Sequence, residues 1–67
     1  MLAKRSFSLS GHRTSVALEP EFWDALIAIA ADRGMSPAAL VAEIDAARPV
    51  ARPLASALRV YALQRRR

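Results

Sequence analysis

The sequence has no cysteine and almost no glycine, since Gly11 and Gly34 are the only two in 67 residues. Without cysteine no disulfide can cross-link and stabilise so short a chain. Thiolate metal sites and catalytic thiols are excluded as well. Two isolated glycines cannot form a glycine-rich phosphate loop. A chain of this length buries little surface when it folds alone, so we expect dimerisation to stabilise it, with no metal and no cofactor.

Long apolar runs are missing as well. The longest continuous run covers residues 25–31, far below the roughly 20 residues of a membrane span. Residues 1–5 lack the long apolar core of a signal peptide. The sequence therefore predicts a cytoplasmic protein that makes no contact with a membrane.

No catalytic constellation is visible. His12 is the only histidine and has no cysteine or second histidine as a metal partner, so it is interpreted as a surface or packed side chain. Glu43 and Asp45 are two positions apart on a predicted helix, where their side chains diverge and do not form a paired-carboxylate site. We expect no enzymatic activity.

Acidic residues are missing from both ends of the chain. Residues 1–18 carry three bases and residues 46–67 carry six arginines, whereas all six acids lie in residues 19–45 beside Arg33. Basic segments can neutralise phosphates, so a nucleic-acid partner suits this pattern and the net charge of +4. For the terminal run, residues 65–67, a solubilising or frayed tail is an equally good interpretation.

One alternating segment predicts a strand over residues 12–18. One face is apolar or β-branched and the other is small or polar. No other alternating run is identified and residues 1–10 are interpreted as an N-terminal arm, so this strand has no expected partner in its own chain. Since an unpaired strand is a template for a second chain, we expect antiparallel pairing in a homodimer. The faces consist of Thr14, Val16 and Leu18, and of Arg13, Ser15 and Ala17.

Two helices are predicted next, over residues 20–33 and 37–47. Pro20 and Ser36-Pro37 are favourable helix starts, and Gly34 can adopt the left-handed conformation that ends a helix. The first helix is apolar over a wider arc than one buried face requires, which indicates burial on more than one side. The expected dimer core consists of Val16, Leu18, Phe22, Leu26, Leu40 and Ile44.

A third helix is predicted over residues 54–64, after a proline-punctuated connector at residues 48–53. Its apolar stripe must be covered. The cover could come from the same dimer, from another dimer in a higher oligomer, or from a different protein such as a toxin.

The order of strand, Pro-initiated helix, Gly-x-Ser turn and second helix resembles the ribbon-helix-helix domain of Arc-type repressors. The resemblance is closest to short bacterial members with an extra C-terminal helix, and it is carried by the segments Lys4-Arg5-Ser6-Phe7-Ser8-Leu9, Gly11-His12-Arg13-Thr14-Ser15 and Glu21-Phe22-Trp23. It implies a mainly α fold with one short strand, paired across a homodimer into a ribbon that enters the major groove of double-stranded DNA.

By position, the resemblance implies that Arg13, Ser15 and Ala17 face the bases. Arginine can contact guanine through two hydrogen bonds, and alanine offers a methyl contact to thymine. Serine can donate or accept a hydrogen bond, so it discriminates little among bases. Alternatively, these three side chains are only the solvated face of a half-buried sheet.

The resemblance also implies two kinds of phosphate contact. The start of the second helix, Met35-Ser36, offers free amides and a positive dipole end, while Lys4 and Arg5 flank the ribbon. The implied function is a transcriptional regulator at the nucleoid, autoregulatory or the antitoxin of a toxin pair. The alternative hypothesis is a homo-oligomeric protein-interaction or assembly module that no longer recognises DNA.

Overall fold

The computed structural model describes residues 1–65, which form a β-hairpin and three helices. In chain order the elements are β1, Ala3–Leu9; β2, His12–Leu18; α1, Pro20–Asp32; α2, Pro37–Ala47; and α3, Leu54–Arg65. The inner face of the hairpin joins all three helices in one hydrophobic core.

The hairpin corrects the expectation of a lone strand. Residues 1–10 were expected to be an arm, but β1 pairs with β2 along its whole length, from Ala3 opposite Leu18 to Leu9 opposite His12. Ser10 and Gly11 connect the strands, and both have positive φ (51° and 80°), as the tight type I′ turn requires. Two strands therefore replace the one expected, and both come from the same chain.

This pairing removes the original reason for expecting a homodimer. The argument was that β2 would leave its backbone amides and carbonyls without a partner, and β1 supplies that partner. Dimerisation has to be argued from other surfaces.

Local signals account for the ends of α1. Pro20 lies in the first turn, where its missing N–H costs nothing. At the other end Gly34 has φ of 69°, the N–H of Met35 donates to the carbonyl of Ala30 (2.9 Å) and that of Gly34 to Ala31 (3.0 Å). These two bonds form a Schellman motif, which ends the helix and turns the chain toward α2.

The next two helices also follow local signals. Ser36 caps α2, since its Oγ accepts from the N–H of Ala39 (3.1 Å), and Pro49 follows soon after its last residue, Ala47. Pro53 then precedes α3, which packs against α1, α2 and β2. The apolar stripe of α3 is thus covered by its own chain.

The core is wholly apolar in the part of the chain described. Trp23 links hairpin and helices, because its ring packs 5.8 Å from that of Phe7 and its Nε1 donates to the carbonyl of Ala3 (2.7 Å). The buried side chains are Phe7, Leu9, Val16, Leu18, Trp23, Leu26, Ala30, Leu40, Val41, Ile44, Ala57, Leu58 and Ala62.

Within residues 1–65, no single helix has the length and apolar character needed to cross a bilayer. Only α1 and α2 taken together reach that length and composition, across a break bent by 99°.

Candidate nucleic-acid interface

The outer face of the hairpin presents six side chains that contain no acid. The register places Lys4 opposite Ala17, Ser6 opposite Ser15, and Ser8 opposite Arg13, and the pleat directs all six away from the core. Five of them are exposed and Ala17 is half-buried. We call this surface the ribbon face; it consists of Lys4, Ser6, Ser8, Arg13, Ser15 and Ala17.

The middle of the ribbon face is small and hydroxylated. The Oγ atoms of Ser6 and Ser15 lie 2.9 Å apart and share a hydrogen bond across the strands. A hydroxyl group can donate or accept, so this pair can adjust to either kind of partner. With a base near each end, Lys4 and Arg13, the surface is shallow and positively charged.

The structure separates Lys4 from Arg5, which were expected to act alike. Successive side chains of a strand point to opposite faces, so Arg5 shares the inner face with Val16, its partner on β2. Its guanidinium lies 5.6 Å from the ring centre of Trp23, within range of a cation–π interaction. Of the two, only Lys4 belongs to the ribbon face.

The expected phosphate anchor at the start of α2 has part of its polar groups already engaged. The Ser36 hydroxyl is engaged as the helix cap, and Met35 is half-buried against the core. No hydrogen bond or ion pair among residues 1–65 joins this helix terminus to the hairpin.

The side chains expected to form a dimer core already form the core of one chain. Five of the six are buried, while Phe22 is half-buried with the guanidinium of Arg59 lying 5.8 Å from its ring centre. The buried five are Val16, Leu18, Leu26, Leu40 and Ile44.

One carboxylate is held by two hydrogen bonds at the junction of the helices. Arg33 donates from Nη1 and Nη2 to the two oxygens of Glu43 (2.6 and 3.0 Å), and Nη1 also donates to the Tyr61 hydroxyl (2.9 Å). The hydrogen bonds from Arg33 lower the pKa of Glu43 below its ordinary value, and the same contacts raise the pKa of Arg33. Both side chains are well exposed, so solvent screens the pair, which links the end of α1 to α2 and α3.

Comparison with known proteins now adds to the geometry. A family model described as a ribbon-helix-helix domain matches residues 2–65. This chain belongs to the ribbon-helix-helix family. The resemblance drawn from the sequence is confirmed, and the match includes the N-terminal strand and the third helix. No curated protein and no solved structure matches the chain.

Ribbon-helix-helix domains are generally DNA-binding regulators or antitoxins, on a fold that is not enzymatic. They typically bind DNA and dimerise. Among residues 1–65 of this member, no cluster of three or more His, Cys, Asp or Glu side chains could hold a metal ion. His12 is exposed at the end of the hairpin, opposite Leu9.

Sequence reasoning missed two side chains of the ribbon face, Ser6 and Ser8. A signal was available, because Ser10-Gly11 is a turn dipeptide and the preceding residues alternate through Phe7 and Leu9. The alternation is masked by Arg5, which occupies an inward position where an apolar residue is expected.

Proposed function

We propose that this ribbon-helix-helix protein is a DNA-binding transcriptional regulator that inserts its ribbon face into the major groove. The ribbon face is the observation that carries the proposal. It is a two-stranded surface with no acid, small at the centre and basic toward both ends, and its other side is anchored in the core. The major groove of B-DNA is about 12 Å wide and admits a two-stranded ribbon.

Both strands of the proposed ribbon come from one chain, which changes how a homodimer would read DNA. If β2 also paired with β2 of a second copy, the sheet would have four strands. Three spacings of about 4.8 Å span about 14 Å before any side chain is added, which is wider than the groove. We therefore propose one hairpin per groove, so that a homodimer carries two hairpins to half-sites about one helical turn apart.

We propose distinct roles for the side chains of the ribbon face. Arg13 contacts guanine through two hydrogen bonds, and Ala17 offers a methyl contact to thymine. Ser15, with Ser6 and Ser8 beside it, makes tolerant hydrogen bonds. Base discrimination therefore rests mostly on Arg13.

Phosphate contacts complete the proposed interface. Lys4 meets a phosphate at the edge of the groove, and the start of α2 at Met35-Ser36 holds another through the Ser36 amide, because the Met35 N–H already donates to the carbonyl of Ala30. Arg5 contributes less than Lys4, because it lies on the inner side of the hairpin beside Trp23. The proposed cellular role is control of transcription at the nucleoid in the cytoplasm, as an autorepressor or as an antitoxin.

The composition of the ribbon face also favours a second candidate, a protein-interaction or assembly module. Four of its six side chains are serine or alanine, which discriminate poorly among bases. Binding to duplex DNA separates the two functions.

The test measures affinity for the duplex upstream of the protein's own coding region, over a range of salt concentrations. Arg13→Ala should weaken binding by about 1 to 3 kcal/mol and relax preference at one position of a half-site. Lys4→Ala should weaken binding to all sequences alike and reduce the salt dependence, because phosphate contacts carry no sequence information.

Arg5→Ala is the matched control for Lys4→Ala, since it removes a neighbouring base from the opposite face of the same strand. We expect it to change affinity less than Lys4→Ala does. Circular dichroism should stay native for Lys4→Ala and Arg13→Ala, whose side chains are exposed. If the parent protein does not bind duplex DNA at low salt, or if neither Arg13→Ala nor Lys4→Ala weakens binding, the assembly module replaces the DNA-binding function.

A further inference from the structure

The acidic side chains that form no salt bridge within residues 1–65 all lie on one helix, α1. Three carboxylates form salt bridges, Glu43 with Arg33, Asp45 with Arg48 (2.8 Å) and Glu19 with Arg59 (3.0 Å). The other three acids have no salt bridge within residues 1–65, and all of them lie on α1. They are Glu21, Asp24 and Asp32.

These three acids share the outer surface of α1 with two alanines. Spacings of three and four residues align positions 21, 24, 28, 31 and 32 along one stripe, and every one of them is exposed. Alanine side chains do not project far, so the backbone of α1 can approach a partner closely between the carboxylates. We call this stripe the acidic face; it consists of Glu21, Asp24, Ala28, Ala31 and Asp32.

A groove of about 480 Å³ lies between the C-terminal half of α2 and α3. Its apolar lining includes Ile44, Ala47 and Val60, and three arginines belong to its wall. We call it the basic groove, with Arg48, Arg52 and Arg65 as its arginines.

The three arginines are not equally free to meet a new partner. Arg48 is held by Asp45 and also donates to the carbonyl of Arg52 (2.7 Å), and the guanidinium of Arg65 lies 3.9 Å from the ring centre of Tyr61. The exposed Arg52 guanidinium has no hydrogen bond or salt bridge within the described part of the chain. Glu43, the one acid in the groove wall, is engaged by Arg33, so the groove stays positively charged.

We propose that the basic groove binds the acidic face of a second copy of this chain. The charges are complementary in sign, because the acidic face carries three carboxylates without a salt bridge in residues 1–65 and the groove is positively charged, with Arg52 as its unpaired arginine. The alanines between the carboxylates suit the apolar lining. The acidic face cannot reach the groove of its own chain, because the opposite side of α1 is packed in the core. A peptide surface that fills the groove would therefore come from another molecule, and a second copy of the chain carries a matching one.

The two surfaces lie on different elements, so each contact joins one surface to a different one on the other copy. The contact is isologous if a pair of copies makes it twice about a two-fold axis, and heterologous if the pair makes it once. In a heterologous arrangement only the two terminal copies keep an unfilled surface, one its groove and the other its acidic face, unless the arrangement closes into a ring. The ribbon face belongs to neither surface, so the proposal does not depend on DNA binding.

The experiment measures self-association of the full chain by sedimentation velocity over protein and salt concentration. The wild-type protein should associate, and salt should weaken the association because it screens the charges. Arg52→Glu and Asp24→Arg should each weaken it by roughly tenfold or more, since attraction becomes repulsion. The double variant Asp24→Arg/Arg52→Glu should recover part of the loss, because the reversed charges match again.

Mixing the two single variants gives a sharper readout. The intact acidic face of Arg52→Glu fits the intact groove of Asp24→Arg, so the mixture should associate more strongly than either variant alone. The control is Arg13→Glu, a reversal on the ribbon face that should leave association unchanged. Melting curves should be native for all variants, because Asp24, Arg52 and Arg13 are exposed.

Several outcomes would overturn the proposal. These are a wild-type protein that stays monomeric at low salt, single variants that associate like wild type, or a mixture that shows no recovery. An equal loss with Arg13→Glu would mean that net charge alone controls association. If Arg52→Glu weakened DNA binding and left self-association intact, the basic groove would bind DNA phosphates and not a second copy of the chain.

Discussion

Leu58→Ala tests whether α3 is part of the folding unit. Leu58 is fully buried (0 % exposed), in a core to which the hairpin, α1 and α2 all contribute. Removing most of its side chain leaves a cavity that the surrounding helices cannot fully close. If α3 were a free arm waiting for a partner, the same change would have little effect on folding.

The expected loss is large for a domain of this size. Truncation of a buried leucine to alanine costs about 2 to 5 kcal/mol. At about 0.05 to 0.15 kcal/mol per residue, a chain of 67 residues has a total stability of about 3 to 10 kcal/mol. A domain this small loses roughly 4 to 8 °C in Tm per kcal/mol, so Tm should fall by at least about 8 °C.

Circular dichroism measures the helix content during melting, and Trp23 reports on the core, because it is the only tryptophan and is buried. The matched control is Leu63→Ala, the same substitution on the same helix at a side chain that is 60 % exposed. We expect the control to change stability by less than about 0.5 kcal/mol. If Leu58→Ala does not fold, Leu58→Met keeps the volume and should cost less than about 1.5 kcal/mol. Equal melting curves for Leu58→Ala and Leu63→Ala would refute the placement of α3 in the core.

Two further predictions concern the faces of the hairpin and the acid side of the stability curve. Val16→Asp places a carboxylate in the core and should unfold the protein. Ser15→Asp changes the neighbouring residue on the outer face, so this variant should keep a native circular dichroism spectrum and lose duplex binding. Two folded variants would contradict the assignment of faces. The Arg33 contacts depress the pKa of Glu43 in the folded state, so their stabilisation is present above the ordinary carboxyl pKa and is lost as pH falls through that value to the folded one. Urea midpoints measured against pH should therefore fall less steeply at acid pH for Glu43→Gln than for the parent; identical acid limbs for the two proteins would exclude a stabilising role for the pair.

The helices were predictable because their signals act between near neighbours in the chain. Pro20 has no N–H that would be left unpaired in the first turn of α1, and the Ser36 side chain accepts a hydrogen bond from an amide in the first turn of α2. Gly34 ends α1 by adopting positive φ. Such effects involve residues a few positions apart, so they can be recognised without knowing the fold. The family could be recognised for the same reason, from the order of these elements.

The N-terminal strand was missed although a turn signal follows it, because one of its inward positions is explained only by the fold. Arg5 occupies an inward position, which breaks the expected alternation, and its place there is explained by the ring of Trp23, eighteen positions later. The mistaken interpretation of residues 1–10 as an arm then made β2 appear unpaired, and the dimer argument followed from that error.

The sequence by itself determined where the helices begin and end and which side chains are apolar, because chain-local hydrogen bonds and side-chain solvation do not depend on distant partners. Only the tertiary structure decided which apolar surface covers which, and so which surfaces remain free. It paired β2 with β1, covered α3 with its own chain, and left the ribbon face exposed. Those outcomes depend on contacts between residues far apart in sequence. Their energies can be judged only when one complete packing arrangement is compared with another.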